Sequence, residues 1–206
     1  MPADPSLSIR LAGSADVAAA RLLITKSARE LQLGDYTSVQ IESALKSVYG
    51  VDSRLVADGT YFVAESNRGT IVGCGGWSKR RTLFGGDAWH DRHDDLLDPA
   101  VDAARIRALF VDSRWARKGV GSLILSECEH AAREAGFMRF EAGATLTGVK
   151  FFAARGYVAV QQIDVALEGA LSIPVMRMVK SASDRTQSQV SALQPPSSKR
   201  SERSLE

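Results

Sequence analysis

The segment Phe110-Val-Asp-Ser-Arg-Trp-Ala-Arg-Lys-Gly-Val-Gly-Ser122 runs from an apolar strand pattern through a basic turn into an amphipathic helix pattern. Gly119 and Gly121 let backbone amides approach a ligand closely, and the first turn of a helix leaves its N–H groups without internal partners. Arg117 and Lys118 add full positive charge, so the turn is an anion site that suits a pyrophosphate. A Walker loop needs Gly-Lys-Ser/Thr after a longer glycine loop, and a dinucleotide fingerprint needs three glycines with an acid about 20 residues on. Neither pattern is present. The competing explanation is a helix that merely starts on glycines and carries two solvated basic side chains.

Other residue types capable of chemistry are more simply explained by structure. Cys74 lies in an apolar strand pattern and Cys128 in the apolar stripe of a helix, so both are expected as buried small hydrophobes rather than acyl carriers. Ser122 lacks the Gly-x-Ser-x-Gly elbow and is expected to cap the helix or contact phosphate. His90-Asp-Arg-His-Asp-Asp95 sets two histidines beside three acids. Arg92 in its middle and the lack of a nearby cysteine argue for a solvated loop, and no metal site is expected.

The elements that must position the turn follow from periodicity. Ser8 to Ala12 alternates as a strand, and Ser14 or Asp16 caps a helix with Val17, Ala20, Leu23 and Ile24 on one stripe. Thr37 or Ser38 caps a second helix carrying Val39, Ile41, Leu45 and Val48, with Gly50 as its stop. Thr60 to Ser66 and Thr70 to Trp77 form a hairpin about Asn67-Arg68-Gly69. A long polar loop from Lys79 to Asp102 precedes a strand, Arg105 to Asp112, expected to be buried on both faces. The helix from Gly119 to Ala135 follows, then a strand at Met138 to Ala142 and a short helix at Thr147 to Arg155. Strands at Tyr157 to Leu167 and Leu171 to Val179 complete the pattern.

The chain has 206 residues, with 26 Lys and Arg against 24 Asp and Glu. That near-balance excludes a nucleic-acid or membrane binder driven by net charge, and no basic patch is apparent in the folded part. Nowhere do eighteen apolar residues follow one another, and Met1 to Ser8 does not read as a leader, so a cytoplasmic protein is expected. Two cysteines in a chain of this size fit a reducing compartment rather than a disulfide scaffold. The last 26 residues contain eight serines and few apolar side chains. They read as a disordered tail over 181–206 behind a folded domain over 1–180.

Ala116-Arg-Lys-Gly-Val-Gly121 resembles the acyl-CoA motif Gln/Arg-x-x-Gly-x-Gly/Ala of the GCN5-related N-acetyltransferases, with Ala116 departing from the usual Gln or Arg. Thr145-Leu-Thr-Gly-Val-Lys-Phe-Phe-Ala-Ala-Arg-Gly-Tyr157 is similar to the family's Asn-x-x-Ala-x-x-Phe-Tyr-x-x-x-Gly-Phe. The likeness covers about residues 8–180 in element order. It implies an α/β fold around a mixed, mostly antiparallel sheet of about seven strands with flanking helices. It also implies an acetyl-CoA-dependent enzyme that acylates an amine on a small molecule, a lysine or an N-terminus, and a homodimer at family level.

The resemblance assigns the pantetheine arm to Leu109, Phe110 and Val111, and the diphosphate to Arg117, Lys118, Gly119, Val120, Gly121 and Ser122. An N–H near Val111 would polarise the thioester carbonyl. Phe152 stands where the family often has the tyrosine that protonates the departing thiolate, and a phenyl ring cannot donate a proton. Tyr157 or water is the substitute expected, while Glu65 and Glu141 are the candidate bases for the amine. The acids of the 90–95 stretch are expected to form a substrate rim that attracts a cationic amine. A non-catalytic acyl-CoA-binding module is the alternative that Phe152 and Thr145 suggest.

Overall fold

The computed structural model describes residues 7–181. Its strands are β1 (Ser8–Leu11), β2 (Tyr61–Glu65), β3 (Ile71–Ser78), β4 (Ala104–Val111), β5 (Arg139–Thr145), β6 (Val158–Ala166) and β7 (Ser172–Ser181). Its helices are α1 (Val17–Leu31), α2 (Ser38–Ser47), α3 (Ser53–Ala57), α4 (Val120–Glu134) and α5 (Leu146–Ala153). The seven strands form one open sheet in the order β1-β2-β3-β4-β5-β7-β6. Every neighbouring pair is antiparallel except β4 with β5. The tail expected over 181–206 lies outside the described residues, apart from Ser181 at the end of β7. Among the described residues no helix is long and apolar enough to cross a membrane.

Local sequence explains the helix starts. Thr37 Oγ1 accepts from Gln40 N at 3.2 Å while Thr37 N donates to Gln40 Oε1 at 3.0 Å, a reciprocal cap that satisfies two donors at the head of α2. Thr145 Oγ1 accepts from Gly148 N at 3.2 Å and starts α5 directly off the end of β5. That cap extends β5 three residues past the expected Ala142. Helix α3 was not visible in the periodicity, because its five residues bury only Leu55.

Alternation along the strands divides the core between two faces. On one, Ile124, Leu125, Cys128 and Ala132 of α4 pack on Phe62, Ala64, Phe140 and Ala142. On the other, Leu23 and Ile24 of α1 pack on Tyr61, Val63 and Cys74, and α2 covers Ile173 and Val175 of β7. Contact between α4 and β3 is close: a Cβ at Gly73 would lie 2.6 Å from Val120 Cγ1. Gly73 thereby sets how near the head of α4 comes to the sheet.

The only parallel pair is short. β4 and β5 are joined through Ala104↔Phe140, Arg105↔Glu141 and Ile106↔Ala142, and then part. On the β3 side of β4 the register slips between Cys74 and Gly76, and Ala108 takes a φ of 51°. This bulge bends β4 away from β5. Leu109, Phe110 and Val111 were expected to be buried on both faces, but they are only half-buried because they form one wall of the resulting cleft.

Replacing Gly73 with valine forces α4 off the sheet. Denaturant unfolding is expected to show a loss of about 1–3 kcal/mol, the usual cost of overpacking.

Candidate active site

A cavity of about 680 Å³ occupies the cleft where β4 and β5 diverge. One wall is β4 from Ile106 to Val111, and the other is Gly143, Ala144 and Thr145 of β5 with the inner face of α5. Asp112 N–H donates to Val72 O at 2.9 Å, and Val111 lies opposite Gly73. Since antiparallel ladders alternate, the Val111 N–H is turned away from β3 toward the cleft.

The basic turn closes one end. Arg117 and Gly119 both hold left-handed backbone, at φ 63° and 88°. For arginine this costs energy, so the surrounding contacts must impose the conformation. Asp112 supplies part of that constraint: it accepts from Arg114 N and Arg114 Nη2, both at 2.9 Å, and from Lys26 Nζ at 3.0 Å. Hydrogen bonds from Arg114, then from Lys26, hold its carboxyl far below the usual carboxylate range. The first amide of α4 to bond back is Leu123, to Gly119 O at 3.0 Å. The amides before it are those a helix leaves available to an anion. Arg155, in the turn after α5, donates to Ser122 Oγ and its guanidinium lies 5.5 Å from the Phe151 ring, which brings a further cation to the basic turn.

The cavity lining includes Leu109, Phe110, Val111, Arg117, Gly119, Gly121, Ser122 and Phe152 from the sequence expectation. Lys118 is exposed, with Nζ 5.2 Å from the Trp115 ring, and Val120 is in the core against β3. Neither side chain lines the cavity. Phe152 is buried edge-on to Phe151 and Tyr157, at 5.3 and 5.1 Å between ring centres.

The three candidate proton-transfer side chains are elsewhere. Glu65, at the end of β2, pairs with Arg10 at 2.6 Å. Glu141 is buried between Arg105 and Arg177 and clamps the joined end of β4 and β5. Tyr157 is buried beneath Lys180, and burial pushes its phenol well up. None of the three is brought to the cleft. Cys74 and Cys128 are fully buried, and burial alone pushes the Cys74 thiol up to about 12.

Residues from distant segments complete the far end of the cavity, among them Gln32, Tyr49, Phe84 and Arg107. Arg107 pairs with Asp52 at 2.7 Å and donates to Gly85 O, while Arg92 also reaches Asp52. Gly86 N donates to Val48 O and Asp87 N to Val51 O, both at 3.0 Å. The long loop is thus fastened over the sheet around residues 85–87, while His90, Asp91, His93, Asp94 and Asp95 stay exposed, as expected for a solvated stretch. Two of its acids pair with arginines: Asp94 lies 2.5 Å from Arg54 and Asp87 lies 3.2 Å from Arg92. Sequence periodicity carries no signal for these long-range partners; Arg155 alone was within reach, inside the Thr145–Tyr157 stretch.

Known proteins share this fold. The Acetyltransferase (GNAT) family profile matches residues 25–157. A GCN5-related N-acetyltransferase from Rhodopseudomonas palustris is similar in structure, with 23% identity and a TM-score of 0.65 over 88% of this chain and 98% of that one. The PaiA N-acetyltransferase of Thermoplasma acidophilum, solved with coenzyme A, has 15% identity and a TM-score of 0.59 over 85% and 99% of the two chains. YncA from Salmonella typhimurium, an acetyltransferase solved with acetyl-CoA, has 19% identity and a TM-score of 0.56 over 86% and 94%. No curated protein sequence matches. With the family profile spanning more than half of the sequence and the cleft and basic turn in place, the chain belongs to the Acetyltransferase (GNAT) family.

Proposed function

We propose that this acetyltransferase binds acetyl-CoA between β4 and β5 and transfers the acetyl group directly to an amine. The observation that carries this reading is the parting of the two strands after Ile106 with the head of α4 at the mouth of the gap. Backbone groups of Leu109 and Val111, freed from any β5 partner, pair with the pantetheine amides as an added strand would, while Phe110, whose backbone faces Cys74 of β3, contributes its side chain to the wall. The diphosphate meets the amides of Gly119 to Ser122, with Arg117 and Arg155 beside them. The coenzyme A and acetyl-CoA complexes of the PaiA and YncA structures support the same donor here. The domain of this reading is 1–180, and its compartment is the cytoplasm, consistent with two unbridged buried thiols.

In the transfer, the Val111 N–H polarises the thioester carbonyl and the amine nitrogen attacks its carbon. The C–N bond forms, the C–S bond breaks, and coenzyme A departs as a thiolate. A thiol with a pKa of about 8.5 leaves readily near neutral pH and takes its proton from water. Phe152 therefore need not be replaced in function by an acidic side chain.

With acetyl-CoA and a panel of amines, full-length protein is expected to release thiol only when an amine is present. Phe152→Tyr should change that rate by less than about tenfold, where an obligatory general acid contributes about 10²–10⁴. Binding of acetyl-CoA without release by any amine, together with turnover gained by Phe152→Tyr, supports instead a non-catalytic binding module.

Gly121→Glu places a carboxylate in the anion site and a side chain against the Phe151 ring, which a Cβ already meets at 3.3 Å. Calorimetry is expected to show acetyl-CoA affinity reduced by at least about a hundredfold in a variant that still melts cooperatively. Unchanged affinity would remove the diphosphate from this turn.

A further inference from the structure

The end of the cavity opposite the diphosphate turn is the place for the amine, and its lining is unusual in charge. Among the described lining residues there is no Asp, Glu or His, and of the lining arginines Arg117 and Arg155 stand at the diphosphate turn while Arg107 belongs to this end. Arg107 is committed to Asp52 and to the Gly85 carbonyl. An ammonium ion entering here finds no free carboxylate to hold it or take its proton.

Two buried polar atoms at this end, Gln32 Oε1 and Tyr49 Oη, face one another without a hydrogen bond of good geometry. Gln32 is only 5% exposed, and with two lone pairs its amide oxygen keeps acceptor capacity for a ligand N–H in the cavity wall. The neighbouring Tyr36 hydroxyl accepts from Leu146 N at 2.7 Å and donates to Pro174 O at 2.8 Å, which leaves it one acceptor site on the side of Tyr49. Burial pushes the Tyr36 phenol up to about 12 and that of Tyr49 higher still, so both stay neutral and neither acts as a base. Around these atoms the wall is apolar and aromatic. Tyr49 packs edge-on to Phe110 at 5.7 Å, and Phe84 packs on Trp89 at 5.5 Å.

We propose that the acceptor is a weakly basic amine on an aromatic or apolar carrier, entering already neutral, with Gln32 Oε1 accepting its N–H and Tyr49 Oη as a second polar contact. This inference rests on the acetyltransferase reading. The neutral nitrogen attacks the thioester carbon, C–N forms as C–S breaks, the surplus N–H proton passes to water and the thiolate takes one from water. The sum is an amide and free thiol, with no protein base required.

The test is steady-state thiol release by full-length protein at saturating acetyl-CoA, with p-anisidine, benzylamine and 1,4-diaminobutane as acceptors. At neutral pH, kcat/KM for p-anisidine is expected to exceed that for the two alkylamines by at least about tenfold, since nearly all of it but only a small fraction of each alkylamine is unprotonated. Gln32→Leu should raise KM for p-anisidine by about tenfold and leave the acetyl-CoA Kd unchanged, and Tyr49→Phe should act in the same direction. Gln32→Glu, which supplies a carboxylate, should shift preference toward benzylamine, a change that a purely structural Gln32 would not produce. Preference for an alkylamine by the wild type, or a KM for p-anisidine indifferent to Gln32→Leu, overturns the inference while the acetyltransferase reading stands. Failure of the wild type to bind acetyl-CoA overturns both.

Discussion

β4 and β5 are the one parallel pair of the sheet, and their hydrogen bonding stops after Ile106. A central strand left unpaired exposes backbone donors and acceptors that a sheet normally satisfies, at a cost that must be met by constraints on either side. At the closed end, Glu141 of β5 holds Arg105 of β4 and Arg177 of β7, so the joint cannot slip. Further along, the bulge at Ala108 turns β4 outward, and the buried Tyr61 hydroxyl reaches the Ala108 carbonyl at 3.5 Å. On the opposite arm, the Tyr36 hydroxyl ties Leu146 at the head of α5 to Pro174 of β7. The cleft is a built feature of the fold, and everything assigned to acetyl-CoA depends on it.

The cleft is chemically divided along its length. Its α4 end gathers available helix amides with Arg117 and Arg155 and suits an anion. Its far end is apolar, with Arg107 neutralised by Asp52 and the loop at Gly85 strapped across the sheet. Removing one partner from that buried pair would leave an uncompensated charge, which is far more costly than the pair is stabilising. The strap therefore fixes the shape of the acceptor end.

Much of this fold was legible because its signals are local. Alternation in Thr70 to Trp77, the stripe of α4 and the cap at Thr37 each follow from neighbours in sequence. The glycine turn was legible for the same reason: a phosphate site is made from one contiguous stretch of backbone. The acceptor end was not, since Gln32, Tyr49, Phe84 and Arg107 meet only through long-range packing. Glu65, Glu141 and Tyr157 illustrate the converse. Their types suit proton transfer, but strand register gives Glu65 and Glu141 arginine partners, and burial keeps Tyr157 away from the cleft.

Backbone amide hydrogen exchange of the full chain with and without acetyl-CoA tests the added-strand arrangement most directly. The account predicts that saturating acetyl-CoA protects the amides of Leu109, Val111 and residues 119–122, with little change in β1 and β2. Tight binding that protects other segments and leaves these amides exchanging as before would contradict it.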